Sequence, residues 1–190
     1  MVNQKTRRMV MAALLAALTT AATMVIRIPT PTLGYIHLGD SMVLLCGILL
    51  GPGLGAAAAG FGSMLADLFG GFTAWAPGTF AIKALTALLG GSLYRLCLSR
   101  EHIAPPLRVI LCGIPAEAVM VAGYFLYEVG MMALAGSNLA AAAVAVLAGV
   151  PFNVVQGLTG IVVAVVLLPV LSHAGAGVEM PARSRKSHNC

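Results

Sequence analysis

Residues 9–28 read MVMAALLAALTTAATMVIRI, an apolar run in which the one charged side chain is Arg27. A helix of about 20 residues is long enough to cross a hydrocarbon core of about 30 Å. We therefore predict that residues 9–28 form a membrane-spanning helix. It should end before Pro29, because proline lacks an amide donor and disfavours helix at the residue before it.

The rest of the chain has the same character. Of its 190 residues, 59% are hydrophobic and only 9% are charged, whereas soluble domains carry about 25% charged residues. In a bilayer every backbone amide must be satisfied within its own segment or in a closed barrel, and long continuous apolar runs favour helices over short alternating strands. The sequence therefore predicts an all-α membrane protein.

Glycine and proline divide the apolar sequence into six membrane-spanning helices. The predicted helices are 9–28, 38–50, 54–69, 79–98, 107–128 and 151–171, with outer loops at 29–37 and 70–78. The segment 139–148 is predicted as a short helix or a structured outer loop. Residues 1–172 form a single transmembrane domain in this prediction, and 173–190 form a basic, disordered cytoplasmic tail.

The basic residues predict which side of the membrane each end occupies. Nine of the eleven lie in three groups: Lys5, Arg7 and Arg8; Arg95, Arg100 and Arg108; Arg183, Arg185 and Lys186. Six crossings put all three groups on one side, which the positive-inside rule identifies as cytoplasmic. We therefore expect both termini in the cytoplasm. The net charge of +5 then reflects membrane topology, and we expect no nucleic-acid partner.

Polar side chains on separate helices fall at one depth, in the outer half of the membrane. An ionisable group inside a bilayer costs at least about 2.5 kcal/mol, so such residues are functional candidates. Their coincidence predicts a small-molecule pocket open to the outside. The predicted substrate-binding residues are Asp40, Asp67, Trp75, Lys83, Glu117, Tyr124, Glu128, Asn153 and Gln156.

Structural explanations remain open for several of these residues. Asp40 is placed to cap the second helix, and Lys83 is placed to pair with Asp67. Glu117 lies nearer the middle of the membrane, either as the floor of the pocket or as half of a buried hydrogen-bonded pair. Trp75 fits an interfacial aromatic belt as well as a lid over a planar ligand.

Small residues at four-residue spacing form a stripe on the first helix, consisting of Ala13, Ala17 and Ala21. Such stripes let helices approach closely in lipid, where packing drives association. Packing inside the chain is one explanation of the stripe. Docking onto another membrane subunit is the other.

The sequence contains no HExxH, GxSxG or Walker A lysine motif, so we expect no enzyme. The four cysteines show no CxxC or other metal-like spacing, and we expect no metal and no cofactor. A self-sufficient secondary transporter that uses Asp67 or Glu117 as a proton relay is an alternative. We disfavour it because we detect no inverted repeat of interrupted helices.

Five strings, taken together and in order, resemble a known family. They are GYIHLGD at 34–40, GSMLADL at 62–68, APGTFAIK at 76–83, GYFLYE at 123–128 and PFNVVQ at 151–156. With the alanine stripe, Glu117 and the chain length, they resemble the S component of an energy-coupling factor (ECF) transporter over almost the whole chain. The resemblance is to the branch for riboflavin, hydroxymethylpyrimidine and pyridoxine-type substrates.

The resemblance implies a six-helix subunit in a bacterial or archaeal cell membrane. It implies capture of a vitamin or precursor, a small heterocycle such as pyridoxine or hydroxymethylpyrimidine, from outside for ATP-driven uptake. The implied partners are a transmembrane coupling subunit and two cytoplasmic ATPase subunits. The stripe of Ala13, Ala17 and Ala21 becomes the docking face, and the loop with Tyr35 and His37 becomes the gate.

Overall fold

The computed structural model describes residues 3–29, 35–100 and 102–173. Within these ranges the chain forms seven helices and one short β-hairpin, and the predicted all-helical fold class is confirmed. The elements are α1 (Gln4–Val25), β1 (Arg27–Pro29), β2 (Tyr35–His37), α2 (Gly39–Leu50), α3 (Pro52–Gly70), α4 (Ala76–Leu98), α5 (Pro105–Leu134), α6 (Leu139–Leu147) and α7 (Val150–His173).

Five helices, namely α1, α3, α4, α5 and α7, are long and apolar enough to cross a membrane. The sixth predicted crossing, α2, has only 12 residues and is therefore about 18 Å long. All of its residues are buried, and it packs against α1, α3, α4 and α7. A short helix is tolerated there, because protein rather than lipid surrounds its ends. The count of six crossings stays a prediction.

The C-terminal part of α2 packs against its neighbours through glycine. A Cβ atom at Gly47 would collide with the carbonyl group of Ala87, and one at Gly91 would collide with that of Gly47. A Cβ at Gly55 of α3 would likewise collide with the carbonyl group of Cys46. Backbones of α2, α3 and α4 are therefore in direct contact, as small residues allow in membrane proteins.

The first helix ends earlier than predicted. It stops at Val25 rather than at residue 28, because Arg27–Pro29 pairs with Tyr35–His37 as an antiparallel hairpin. The pairing gives these backbone groups hydrogen-bond partners. A helix continued as far as Pro29 would lose some of them, because proline has no N–H group. The predicted outer loop 29–37 is thus partly this hairpin, and its residues 30–34 lie outside the described residues.

The fifth helix extends beyond its predicted end. It continues past Glu128 to Leu134. Gly130 stays helical, and the chain leaves the helix before Gly136, which adopts a φ of 95°. The segment predicted as a short helix or loop is α6, whose N-cap Asn138 accepts from the amide of Ala140 at 2.9 Å. The predicted tail lies outside the described residues after His173.

Basic side chains gather at one end of the bundle, which we call the basic end. Arg8 Nη2 donates to the carbonyl oxygen of Leu50 at 3.4 Å, and the guanidinium of Arg95 lies against Gly51. The hairpin marks the opposite end, called the hairpin end. The C-terminal basic group lies outside the described residues. Which end faces the cytoplasm remains a prediction from the positive-inside rule.

The alanine stripe of α1 faces away from the bundle. Ala13, Ala17 and Ala21 are exposed, whereas the buried face of α1 consists of Ala12, Leu15, Thr19 and Thr23. The explanation of the stripe as packing inside the chain is therefore wrong. On the inward face, Thr19 Oγ1 donates to the carbonyl oxygen of Leu15 one turn earlier at 2.8 Å and lies 3.7 Å from Cys46 Sγ of α2.

Candidate functional site

A buried ion pair links α2 to α4 near the hairpin end. Lys83 of α4 donates to Asp40 Oδ1, and both side chains are 0% exposed. Gln156 of α7 donates through Nε2 to Asp40 Oδ2 at 2.6 Å. The backbone amide of His37 donates to Gln156 Oε1 at 2.9 Å. The carboxylate of Asp40 therefore joins three helices, and Gln156 connects the hairpin to the same network.

This network corrects two sequence interpretations. Lys83 pairs with Asp40 rather than with Asp67, because it lies two turns into α4 and beside the first turn of α2. Asp40 is not a helix cap, since the N-cap of α2 is Leu38 and makes no side-chain capping bond. Glycine permits the approach of α7, because a Cβ at Gly160 would collide with that of Asp40.

A small cavity lies next to this network at the hairpin end. Its volume is about 30 Å³, and aromatic and polar side chains from β2, α3, α4, α5 and α7 contribute to its wall. The lining residues are Tyr35, His37, Asp67, Phe72, Trp75, Thr79, Tyr124, Glu128, Asn153 and Gln156. A volume of this size holds one or two water molecules.

Tyr35 joins the hairpin to α3. Its hydroxyl group donates to Asp67 Oδ1 at 2.6 Å, and its ring lies 4.6 Å from that of Phe72, centroid to centroid. Arg27 stacks on the same ring at 4.9 Å and donates to the carbonyl oxygen of Ala66 at 3.2 Å. Burial and the bond to Asp67 raise the pKa of Tyr35, so its phenol remains a hydrogen-bond donor.

His37 is neutral in this setting. Burial, and then the positive charge of Lys83, lower its pKa from 6.5 to about 3. Its Nδ1 atom accepts from the amide of Gly39 at 3.0 Å, which requires an unprotonated Nδ1. The imidazole therefore connects the hairpin to the first turn of α2 as a hydrogen-bond acceptor.

The wall formed by α4 and α5 is held by tyrosines. Tyr124 donates to Thr79 Oγ1 at 3.1 Å, and its ring centroid lies 5.1 Å from Lys83 Nζ, a cation–π contact. Tyr127 donates to the carbonyl oxygen of Ala74 at 2.7 Å. Within the described residues, Trp75 Nε1 has no hydrogen-bond partner, so one donor at the cavity is unused.

Most residues predicted for the site come together at this cavity. Asp67, Trp75, Tyr124, Glu128, Asn153 and Gln156 line it, as do the predicted gate residues Tyr35 and His37. Asp40 and Lys83 form the adjoining ion pair. Sequence reasoning missed Phe72, Thr79 and Arg27. Thr79 had a usable signal, because it precedes Lys83 by one helical turn on the same face.

Glu117 lies elsewhere. It borders an apolar groove of about 450 Å³ between α5 and α7, lined by residues such as Val121, Phe125 and Leu158. The side chain is 4% exposed, and neither carboxyl oxygen has a hydrogen-bond partner within the described part of the chain. The predicted hydrogen-bonded pair is therefore not formed there, and Glu117 does not line the cavity.

Comparison with known proteins identifies the family. The model for the ECF-type riboflavin transporter S component matches residues 3–173. The chain belongs to this family. It is therefore the substrate-binding subunit of an ECF transporter, a multi-pass membrane protein and not an enzyme.

Individual proteins are also similar to this S component. An uncharacterized protein in a gap 3′ region of Pyrococcus woesei is 39% identical over 106 residues, which cover 55% of this chain and 67% of the relative. A solved S component of a bacterial ECF transporter superposes with a TM-score of 0.68 at 21% identity, covering 90% of this chain and 98% of that one. The second likeness concerns the fold.

Proposed function

We propose that this S component captures a water-soluble vitamin or precursor, a small planar heterocycle of the pyridoxine or hydroxymethylpyrimidine kind. The observation that carries the proposal is the cavity wall, which combines aromatic rings with hydrogen-bonding side chains. The rings of Phe72, Trp75 and Tyr124 suit stacking on a flat ligand. Asn153 and Thr79 suit hydrogen bonding to its heteroatoms.

The cavity must enlarge to admit such a ligand, because small-molecule sites occupy about 300–1,000 Å³ and this one occupies about 30 Å³. The hairpin is the part we expect to move. It is held by side-chain bonds from Tyr35 and to Gln156, whereas α2, α3 and α4 are locked by backbone contact. Opening the hairpin uncovers the cavity while leaving the bundle intact.

Riboflavin is the second candidate ligand, and the description of the matching family favours it. A flavin has three fused rings, so its entry requires a larger displacement of the hairpin than entry of a one-ring heterocycle. Measuring the relative affinities for riboflavin and for the one-ring heterocycles therefore decides between the two candidates.

Trp75 offers a direct assay, because it is the one tryptophan of the chain and lines the cavity. The purified protein in detergent is titrated with pyridoxine, hydroxymethylpyrimidine and riboflavin while its tryptophan fluorescence is recorded. We expect saturable quenching by one of the three, and at least tenfold weaker binding in Asn153→Ala. Val155→Ala, which changes an exposed residue of α7, is the control. The proposal fails if the three compounds leave the fluorescence unchanged and isothermal titration detects no heat.

We further propose that the hairpin end faces outside and that the stripe of Ala13, Ala17 and Ala21 docks onto a transmembrane coupling subunit, which works with two cytoplasmic ATPase subunits. The support is that the stripe is exposed and small. Ala17→Leu should weaken co-purification with the coupling subunit at least fivefold while leaving ligand binding unchanged. Ala81→Leu, at an exposed alanine of α4, is the matched control. An equal loss of co-purification in both variants would contradict the proposal that the stripe is the docking face.

Proton-coupled transport by the chain alone is tested separately. A proton gradient is imposed across the membrane of liposomes that contain this S component without partners. Uptake of the ligand that the fluorescence titration identifies is then measured. We expect no uptake above empty liposomes. Uptake that is abolished by Asp67→Asn or Glu117→Gln would instead support the secondary transporter.

A further inference from the structure

Apart from His37 and the tyrosines, the ionisable side chains on the cavity wall are acidic. Asp67 and Glu128 both line the cavity, and within the described residues no lysine or arginine does. His37 contributes no positive charge near neutral pH, because burial lowers its pKa to about 3. The wall therefore offers carboxyl groups, phenols, amides, a hydroxyl group and the indole N–H group of Trp75, but within the described residues no cation for an anionic ligand.

Two cations near the cavity, Lys83 and Arg27, are held by other contacts. Lys83 is fully buried against Asp40 and does not line the cavity. Arg27 lies against the ring of Tyr35 and donates to the carbonyl oxygen of Ala66. In the sequence, residues 30–34 between the two strands read TPTLG, which includes no charged residue.

The start of α4 is no substitute for a cation. Helix N-termini bind anions through amide groups that lack partners, and Trp75 at this start borders the cavity. The amides of Trp75 and Ala76 both donate to the carbonyl oxygen of Phe72, at 3.0 and 3.3 Å. The next residue, Pro77, has no N–H group. These amides are therefore not free to hold an anion.

The start of α7 is similar. Asn153, which borders the cavity, donates its amide to the carbonyl oxygen of Gly149 at 3.1 Å, and Phe152 donates to the same oxygen at 3.1 Å. Pro151 again removes a donor. The backbone amides of Trp75, Ala76, Phe152 and Asn153 at the two helix starts therefore all donate to carbonyl oxygens of the chain.

Resting on the proposed vitamin site, we infer that the cavity accepts only ligands without an anionic group, and that it rejects the phosphate ester of the vitamin it binds. The accepted form is a neutral or cationic heterocycle whose hydroxyl, amino or ring N–H groups donate to Asp67 and Glu128. A phosphate monoester carries a charge of about −1.5 to −2 at pH 7. It would be buried beside two carboxyl groups and without a cation, which is strongly unfavourable.

The test compares each vitamin with its own monophosphate at pH 7.5, using the full chain in lipid nanodiscs and isothermal titration. The pairs are pyridoxine and pyridoxine 5′-phosphate, hydroxymethylpyrimidine and its phosphate, and riboflavin and flavin mononucleotide. For whichever vitamin binds, we expect the ester to bind at least 100-fold more weakly. An ester that binds within threefold of the vitamin, or more tightly, overturns the inference.

Asp67→Asn separates charge from size as the cause of rejection. Removing this carboxylate should reduce the ratio of the two dissociation constants at least fivefold, because an amide does not repel phosphate. Phe69→Leu, an exposed position on the same helix, should leave the ratio unchanged. A ratio unaltered in Asp67→Asn overturns the electrostatic explanation, and if that variant does not fold, Glu128→Gln is measured in its place. Failure of all three vitamins to bind would overturn the proposed function instead, so the two failures are distinguishable.

Discussion

The two ends of α2 are equally buried but are packed in different ways. At the hairpin end Asp40 contacts its neighbours through side chains, by an ion pair with Lys83 and a hydrogen bond from Gln156. At the basic end Gly47 lies in backbone contact with Gly91. Side-chain contacts hold helices further apart than backbone contacts do. The comparison teaches that polar side chains join α2 to α4 beside the cavity, whereas glycine lets the backbones of the same two helices touch at the basic end.

Removing the lysine of the ion pair should have the largest effect. Lys83→Met leaves the carboxylate of Asp40 buried without its counter-ion, and breaking one partner of a buried pair costs about 3–5 kcal/mol. We expect this loss in the free energy of unfolding, measured by denaturation in mixed micelles. The double variant Asp40→Asn, Lys83→Met is the control and should recover part of the loss. If Lys83→Met is as stable as the wild type, the ion pair does not hold the helices together.

A side chain added at the glycine contact should have the next largest effect. Gly91→Val forces α4 away from α2, and overpacking of this kind costs about 1–3 kcal/mol. Gly53→Ala provides the control, because a Cβ there meets no neighbouring atom within 4 Å, and alanine favours helix over glycine by up to about 1 kcal/mol. Thermal unfolding of both variants checks the contrast. Similar melting temperatures would contradict close packing at this end.

Acid should weaken the hairpin through His37. Its folded-state pKa of about 3 lies below the ordinary 6.5, so the unfolded chain binds more protons between these values. The stability that the neutral imidazole contributes is complete above pH 6.5 and is lost as the pH falls toward 3, by at most about 1.4 kcal/mol per pH unit. His37→Gln should flatten the dependence of melting temperature on pH. An unchanged slope in that variant would assign the acid sensitivity to other groups.

Loss of one hydrogen bond at the rim should have the smallest effect. Tyr35→Phe keeps the aromatic contact with Phe72 but removes the donor to Asp67, which is worth about 0.5–1.5 kcal/mol. We expect amide hydrogen exchange to increase about tenfold in β2 and to stay unchanged in α2. Equal exchange in variant and wild type would mean that this bond does not hold the hairpin down.

The sequence predicted the helices well where glycine and proline mark their ends, and less well where tertiary contacts do. The Gly51–Pro52 break was predicted correctly, because it follows from local backbone preference. The end of α1 was predicted three residues late, since the hairpin that replaces its last turn depends on pairing with Tyr35–His37. The extension of α5 from Glu128 to Leu134 was not predicted.

Much of the candidate site could be selected from sequence, because ionisable groups in apolar segments are costly and therefore conspicuous. Their partners could not be selected. Lys83 was paired with Asp67 from the sequence, and only the side-by-side packing of α2 and α4 shows that its partner is Asp40. Glu117 was predicted as the floor of the pocket or as half of a buried hydrogen-bonded pair, but its side chain borders the groove between α5 and α7.

By itself, the sequence determined the solvent of this protein, its helical class and the set of buried polar residues, since these follow from hydropathy and from the cost of unpaired backbone in lipid. The tertiary structure decided which residues meet. It turned the alanine stripe outward, placed Lys83 on Asp40, enclosed the short α2 and folded a hairpin over the cavity. The physical reason is that helix rotation and partner choice depend on packing between distant segments, which local sequence does not encode.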